Sequence, residues 1–307
     1  MSWKLYRWVW RLEAPLHIGV TPAGLLNRTR LYIPARNIWA ALTEELARRS
    51  SSASFPDYAG TGRQVQEAMR FSYLYPAEQV NGKWQAWLPQ YKQNGNESGL
   101  IWCREDGGKS LPDRQFRQRI LITRPSTAID PSADSAAEAT LRELECISPW
   151  WRQVNGQDSA HAVAMVGYVL CQDDQLHQDV MAIDEIFVGG DVRYGLGHLR
   201  RYDQPNEEQH LFGNQVNLQP PDAQSADPQS RAPQSAAPQS ADPIVKTQRV
   251  LAHTLPNGNV SFIGRWTCIG GWDKGSMMSA HSAWEPGSFT ETMHSFAIQK
   301  EGWWQRQ

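Results

Sequence analysis

Val188–Arg201, with the sequence VGGDVRYGLGHLRR, contains four glycines, three arginines and one histidine in fourteen residues. Glycine is needed where the backbone takes a positive φ or must approach another group closely. The segment matches neither the dinucleotide-binding pattern G-x-G-x-x-G nor the phosphate-binding pattern G-x-x-x-x-G-K-[ST]. It also follows a predicted helix and precedes a predicted strand, whereas both motifs open a helix. We therefore predict no nucleotide cofactor.

Two interpretations of this glycine-rich segment remain open at the sequence level. In the first, its bare amides and the side chains of Arg193, Arg200 and Arg201 contact a polynucleotide backbone. In the second, the glycines form a tight turn that packs against a sheet, and the arginines are solvated. The segment alone favours neither interpretation.

The composition is that of a soluble globular protein, with 40% hydrophobic and 20% charged residues in 307. No apolar run reaches the roughly 18 residues that a membrane span requires, and no signal peptide is evident, so we expect no membrane partner. The four cysteines show no C-x-x-C pair, which fits a reducing compartment and predicts a cytoplasmic protein without a metal site. The net charge of −2 means that any nucleic-acid binding must rely on local basic surface.

Strand-like and helix-like segments alternate along the first two thirds of the chain. Residues 3–12 (WKLYRWVWRL) read as a strand, and residues 35–49 as a helix with Ile38, Leu42 and Leu46 on one face. Residues 119–124 and 160–170 read as further strands, and the apolar positions from 176 to 187 predict a second helix. Residues 50–118 carry no motif. This order predicts an α+β protein with a ferredoxin-like sheet and helices on one face.

A five-residue repeat, QSADP QSRAP QSAAP QSADP, occupies residues 224–243. It contains no large apolar residue and cannot bury enough surface to offset the entropy of ordering. We therefore predict three parts: a folded domain at 1–213, a flexible low-complexity insertion at 214–244, and a C-terminal segment at 245–307. The C-terminal segment is either a second small ferredoxin-like half or the completion of the first domain.

Three segments in order resemble the repeat-associated mysterious protein (RAMP) superfamily of CRISPR effector subunits. LEAPLHIG…LYIPARNIWAALTEEL (12–46) resembles the opening strand, loop and helix of that family, and TAIDPSADSAAEATLRELECI (127–147) resembles its hairpin. IFVGGDVRYGLGHLRR (186–201) is similar to the glycine-rich loop between its last helix and last strand. A fourth, shorter segment, CIGGWDKGSMMSAHSAWEPGSF (268–289), resembles a region of the large RAMP subunit in some type III complexes.

The resemblance implies a subunit of a type III CRISPR ribonucleoprotein that binds guide RNA (crRNA) together with other effector subunits. Its position would be either the cap at the tag end of the guide or the backbone. Transferred to this chain, the guide-contacting residues are Gly189, Gly190, Arg193, Gly195, Gly197, His198 and Arg200 in the glycine-rich segment. Gly19, Asn27, Arg28 and Arg30 would contribute from the first loop, and Arg36 from the start of the following helix.

Backbone subunits of the family that cut target RNA carry an aspartate in the first loop, but VTPAGLLNRTR (20–30) contains none. The amide of Asn27 cannot act as a general base or bind a metal as a carboxylate would. We therefore expect RNA binding without catalysis. The alternatives are a metal-free endoribonuclease that matures the guide precursor, with His198 or His17 as its acid–base group, and a structural assembly protein without RNA contact.

Four arginines at 114, 117, 119 and 124 form a basic run on and before the predicted strand at 119–124. On a strand, Arg117 and Arg119 would share one face. The run reads either as a solvated strand edge or as a phosphate contact.

Overall fold

The computed structural model describes residues 2–50, 55–94, 97–152, 161–219, 242–256, 260–270, 272–273, 276–277 and 281–307. The described residues contain four α-helices: α1 (Ala35–Ser50), α2 (Tyr58–Ala68), α3 (Asp113–Ile120) and α4 (Asp174–Met181). Most of the remaining regular structure is β-strand, so the predicted α+β class is confirmed. Most of the repeat at 224–243 and part of the 268–289 segment lie outside the described residues.

The strands of the first half, in chain order, are β1 (Lys4–Leu12), β2 (Leu26–Asn27), β3 (Met69–Phe71), β4 (Tyr75–Val80), β5 (Lys83–Asn94), β6 (Glu97–Arg104), β7 (Ser110–Pro112), β8 (Leu121–Ser126), β9 (Ile129–Asp130), β10 (Ser135–Ala136) and β11 (Arg142–Ile147). Those of the second half are β12 (Ala164–Cys171), β13 (Glu185–Phe187), β14 (His198–Arg201), β15 (Asn206–Glu208), β16 (His210–Leu211), β17 (Asn214–Asn217), β18 (Ile244–Arg249), β19 (Thr254–Leu255), β20 (Trp266–Ile269), β21 (Trp272–Asp273), β22 (Ser276–Met277), β23 (His281–Trp284), β24 (Phe289–Ile298) and β25 (Trp304–Arg306).

A ten-stranded sheet forms the first layer of the molecule, in the order β13-β14-β1-β12-β4-β5-β6-β7, with β15 and β3 paired beside it. At its centre β1 runs antiparallel to both β12 and β14, and β12 is antiparallel to β3. The chain between β1 and β3 contains α1, and the chain between β12 and β14 contains α4. The strands before and after each helix are therefore separated by one strand, since β12 lies between β1 and β3, and β1 lies between β12 and β14.

The predicted first strand and first helix are both present, and their apolar positions are buried. Trp8 and Trp10 on β1 are fully buried. Trp8 stacks on Phe71 of β3 at a ring separation of 6.0 Å. On α1, the predicted face of Ile38 and Leu42 is fully buried against the sheet. These aromatic and aliphatic contacts fix the helix on the sheet through the burial of apolar area.

Two sequence predictions about local structure are wrong. Residues 113–120 form helix α3, which includes the first two residues of the strand predicted at 119–124. Phe116 and Ile120 are buried one helical turn apart, and Arg117 donates to Asp113 at 2.8 Å. Arg119 therefore does not share a strand face with Arg117, and the strand begins only at Leu121. The second predicted helix also ends early, at Met181, and Glu185–Phe187 form edge strand β13.

Eight strands form the second sheet, in the order β16-β17-β18-β24-β25-β19-β23-β20. Its strand β17 lies inside the range predicted as the insertion, and Asn217 at its end pairs with Ile244 at the start of β18. Buried residues from both sheets, such as Trp8 and Phe296, belong to the same hydrophobic core. The described parts of the two sheets thus pack on one another.

A buried polar cluster links the two sheets. Both ring nitrogens of His253 contact tyrosine hydroxyls, Nδ1 that of Tyr73 at 2.7 Å and Nε2 that of Tyr32 at 3.1 Å. Burial lowers the pKa of His253 well below its ordinary value and raises the pKa of Tyr32 to about 12. The cluster is therefore neutral at pH 7, and one of the two tyrosines donates to His253 while the other accepts from it.

Candidate nucleic-acid interface

The three segments that carry the family resemblance meet in space. The first loop (residues 13–34) receives two hydrogen bonds from the glycine-rich loop (residues 188–197), Gly190 N to His17 O at 2.9 Å and Gly197 N to Pro15 O at 2.8 Å. The hairpin of β8 and β11 joins from the other side, because β2 of the first loop pairs in parallel with β11. Residues far apart in the chain therefore form one continuous surface.

Two glycines of the loop are required by packing against the protein itself. A Cβ on Gly189, which has φ +92°, would lie 2.3 Å from the carbonyl oxygen of His17. A Cβ on Gly197, at φ +73°, would lie 1.9 Å from the carbonyl oxygen of Val188. Gly195 differs, because its φ is +79° but open space surrounds it. The geometry thus supports the packing interpretation for Gly189 and Gly197, while Gly195 serves only the turn.

His17 is held inside the junction between the first loop and the hairpin. Its ring is largely buried, and Nδ1 donates to the carbonyl oxygen of Glu145 at 2.8 Å. Gly190 and Gly19 pack beside the ring, since a Cβ at either position would lie 3.2 Å or 3.6 Å from a ring atom. These contacts give His17 a structural role in joining three segments.

His198 lies on β14, at the side of the sheet where β13 forms the edge. Its Nε2 is 3.0 Å from Glu185 Oε2, and its ring stacks on Phe187 at 4.7 Å. Arg200 reaches the same carboxylate at 3.7 Å. Arg201 points inward instead: it donates to Val180 O at 2.8 Å, and burial lowers its pKa to about 10. Of the cations that end the segment, only Arg200 is exposed.

A cavity of about 370 Å³ lies between the first loop and the glycine-rich loop. Five of the predicted RNA-binding residues line it, namely Gly19, Arg30, Arg36, Gly189 and Gly190. Tyr73 and His253 contribute to its wall from the junction of the sheets, and Cys268 and Trp303 from the C-terminal part. His198 is not among the residues that line it.

Three further predicted residues, Asn27, Arg28 and Arg193, belong to the same two loops but are not among the residues that line this cavity. Arg193 is exposed in the short 3₁₀ turn Val192–Tyr194, and no described residue pairs with its guanidinium. Arg28 is likewise unpaired within the described part of the chain, whereas Arg30 donates to the hydroxyl of Tyr32 at 3.2 Å. Asn27 donates to the carbonyl oxygen of Glu143 at 3.3 Å. Arg28 and Arg193 are therefore available to an anionic ligand, while Asn27 holds the first loop to the hairpin.

Sequence reasoning missed the contact between the hairpin and the glycine-rich loop. Arg142 of β11 forms an ion pair with Asp191 at 3.2 Å, and its guanidinium lies 5.5 Å from the ring centre of Tyr194. Tyr194 is 71% exposed. The only signal in the sequence was the positive charge of Arg142 within LRELECI (141–147). Its partner Asp191 lies almost 50 residues further along the chain, so no local pattern pairs the two.

The described residues offer no group of three or more histidine, cysteine or acidic side chains that could hold a metal ion. None of their helices is both long enough and apolar enough to cross a bilayer.

No protein-family model matches this sequence, and no curated protein sequence matches it. Structures of type III-B Cmr-beta complexes are among the solved structures that resemble its fold. One is the type III-B Cmr-beta complex bound to cognate target RNA and AMPPnP, in which a chain aligns with a TM-score of 0.50 and 13% identity over 94% of this chain and 86% of its own. Another is the type III-B Cmr-beta complex bound to cognate target RNA, in which a chain aligns with a TM-score of 0.50 and 12% identity. That alignment covers 92% of this chain and 86% of the other. At this identity the likeness concerns the fold alone.

Proposed function

We propose that this chain is a non-catalytic subunit of a type III CRISPR effector complex that binds guide RNA. The binding surface is the one formed by the first loop and the glycine-rich loop, and the other effector subunits are its protein partners. The CRISPR assignment draws on the resemblance of three sequence segments to the RAMP superfamily and on a fold shared with two chains of Cmr-beta complexes.

The strand arrangement supports a ferredoxin-like assignment for the centre of the first sheet. The order β14-β1-β12-β3 is antiparallel throughout, and a helix lies in each of the connections from β1 to β3 and from β12 to β14. A β-α-β-β-α-β order of this kind is that of the ferredoxin-like motif, which RNA-recognition domains share.

The observation that carries the proposal is the cavity between the two loops. Gly19, Gly189 and Gly190 line it with main-chain atoms only, and a sugar–phosphate backbone could contact this main chain, although their missing side chains would point toward His17. Arg30 and Arg36 line the same cavity against one carboxylate, Glu301, so the positive charges outnumber the negative ones. Because the whole chain carries a net charge of −2, this local concentration of arginine is what an RNA-binding surface requires.

The positions of the two candidate histidines support the proposal of binding without catalysis. His17 is buried and held by a carbonyl oxygen, and His198 pairs with Glu185 outside the cavity. The contact with Glu185 is the one observation that favours the alternative, because a carboxylate can orient a histidine for acid–base chemistry. We expect His198→Ala to leave RNA intact and bound, as in the unaltered protein. Cleavage of a labelled guide precursor by the unaltered protein, lost in this variant, would instead establish the endoribonuclease.

The RNA-binding surface is tested by the salt dependence of binding. We expect the double variant Arg36→Gln/Arg193→Gln, measured by fluorescence anisotropy with a labelled oligouridylate, to lower the slope of log K against log salt. The decrease should be about 1.4, since each phosphate contact to a single strand contributes roughly 0.7. Arg63→Gln/Lys83→Gln, which removes two exposed cations on α2 and β5, is the matched control. Equal slopes for the two variants would refute the proposed surface.

A further inference from the structure

A second and larger concavity, here called the trough, lies next to the loop cavity and has a volume of about 730 Å³. Its walls come from the first loop, from β5 and β6, from α3 and from residues 262–267 of the C-terminal part. Thr21 and Arg30 line both the trough and the loop cavity. The two concavities are therefore adjoining parts of one surface.

Positive charge predominates in the trough. Five cations line it, namely Arg28, Arg30, Lys92, Arg117 and Arg265, against two carboxylates, Asp113 and Glu285. This excess is concentrated locally, because the chain as a whole is slightly acidic. A concave surface lined by one sign of charge raises the local concentration of ligands of the opposite sign.

Both carboxylates of the trough are already engaged. Asp113 accepts from Trp102 Nε1 at 2.9 Å and from Arg117 at 2.8 Å. Glu285 accepts from the hydroxyl of Tyr91 at 2.9 Å. Burial and the Glu285 carboxylate raise the pKa of Tyr91, so this hydroxyl remains protonated and continues to donate. Neither carboxylate neutralises the other cations by direct contact.

Three cations of the trough are thereby left for a ligand. Lys92 and Arg265 are exposed, Arg28 is half-exposed, and no ion pair joins any of the three to another described residue. They come from three separate parts of the chain, namely β5, the C-terminal part and the first loop. The fold thus collects unpaired cations beside the loop cavity, in a concavity whose other walls include Pro89, Pro286 and Phe262.

We infer that the trough is a second RNA-binding site, in which Arg28, Lys92 and Arg265 contact the phosphates of the nucleotides adjacent to those at the glycine-rich loop. The inference rests on the proposed function for the identity of its ligand. A single strand that leaves the loop cavity beside Arg30 enters the trough directly, because Arg30 and Thr21 belong to both. The RNA would thereby contact the N-terminal and the C-terminal parts of the chain at once.

The double variant Lys92→Gln/Arg265→Gln tests the trough in the full-length chain. The probe is a fluorescein-labelled oligouridylate of about 20 nucleotides, longer than the roughly 4–16 nucleotides that single-strand-binding modules cover. We expect the salt slope to decrease by about 1.4 and the affinity to fall roughly tenfold at about 0.15 M salt. Arg63→Gln/Lys83→Gln again serves as the matched control, since neither residue lines the trough. Because Lys92 and Arg265 are exposed and unpaired in the described structure, the circular dichroism melting curve should not change.

The loop variant Arg36→Gln/Arg193→Gln, measured in parallel, separates the two proposals. If the loop variant binds RNA more weakly but the trough variant binds it like the control, the trough proposal is overturned and the loop surface stands. If the trough variant binds RNA more weakly but the loop variant binds it like the control, the trough is supported as an RNA site and the loop surface is refuted. Failure of the unaltered chain to bind the oligouridylate would overturn both.

Discussion

Removal of the low-complexity segment should stabilise the protein. Residues 218–243 connect β17 to β18, whose ends are paired at Asn217 and Ile244. Paired residues in an antiparallel ladder lie only about 5 Å apart, so the connection needs few residues. Contacts at both ends of the segment should persist, since Leu218 O accepts from Trp3 N at 2.9 Å. Asp242, at the other end, forms an ion pair at 2.6 Å with the buried Arg70.

The size of the effect follows from loop-closure entropy. Replacing residues 220–241 by two glycines shortens the connection from 26 residues (218–243) to six. Closure entropy scales as 1.5 RT ln n, so the free energy of unfolding should increase by about 1.3 kcal/mol. For a protein of 307 residues this corresponds to an increase of about 2 °C in the melting temperature.

Differential scanning calorimetry measures this change, and a variant with residues 220–241 in shuffled order is the control. The shuffled chain should melt like the unaltered protein, because the prediction depends only on composition and length. A deletion variant that melts several degrees lower would refute the reasoning, since it would mean that the segment contributes stabilising contacts. RNA affinity, measured as above, should be the same in all three proteins.

Two further predictions concern stability. Gly197→Ala should reduce the free energy of unfolding by more than about 3 kcal/mol, because the new Cβ clashes with Val188 O and the left-handed backbone adds its own cost. Gly195→Ala carries only the backbone cost, so its loss should be about 1–2 kcal/mol. Equal losses of unfolding free energy for the two variants in urea denaturation would contradict the packing role of Gly197. His253 has a lowered pKa in the folded state, so the unfolded chain binds more protons below pH ~6.5 and stability is lost as the pH falls. Between pH 7.5 and pH 5.5, His253 should account for a decrease of about 1.4 kcal/mol in the free energy of unfolding. This decrease should be absent in the His253→Gln variant. An equal pH dependence of the unfolding free energy in both proteins would refute the prediction.

The parts of the fold that sequence predicted correctly are those with a strong local pattern. Helix α1 was predicted because Ile38, Leu42 and Leu46 repeat at its period, and all three are buried. Helix α3 was missed although Phe116 and Ile120 repeat at the same interval, because its eight residues are mostly charged or polar. Short helices give a weak periodic signal, and the arginines concealed it.

The candidate site, too, could be predicted from the sequence only in part. The proximity of the first loop and the glycine-rich loop was implied by the family resemblance, not by any spacing in the sequence, and the contact of the hairpin with the glycine-rich loop was missed. The trough was not predicted at all, because Arg28, Lys92 and Arg265 are brought together only by the packing of two sheets. Pairings such as Arg142 with Asp191 depend equally on tertiary structure. A basic run in the sequence was a poor guide, since Arg119 of that run is buried.

Photo-crosslinking tests the central claim most directly. The full-length protein would be irradiated with a single-stranded RNA that contains 4-thiouridine, and the crosslinked peptides identified by mass spectrometry. We predict crosslinks in the first loop (residues 13–34) and in the glycine-rich loop (residues 188–197), which should disappear with competitor RNA. Crosslinks confined to other parts of the chain, or none above the level of an unrelated acidic protein, would contradict the proposal that this surface binds RNA.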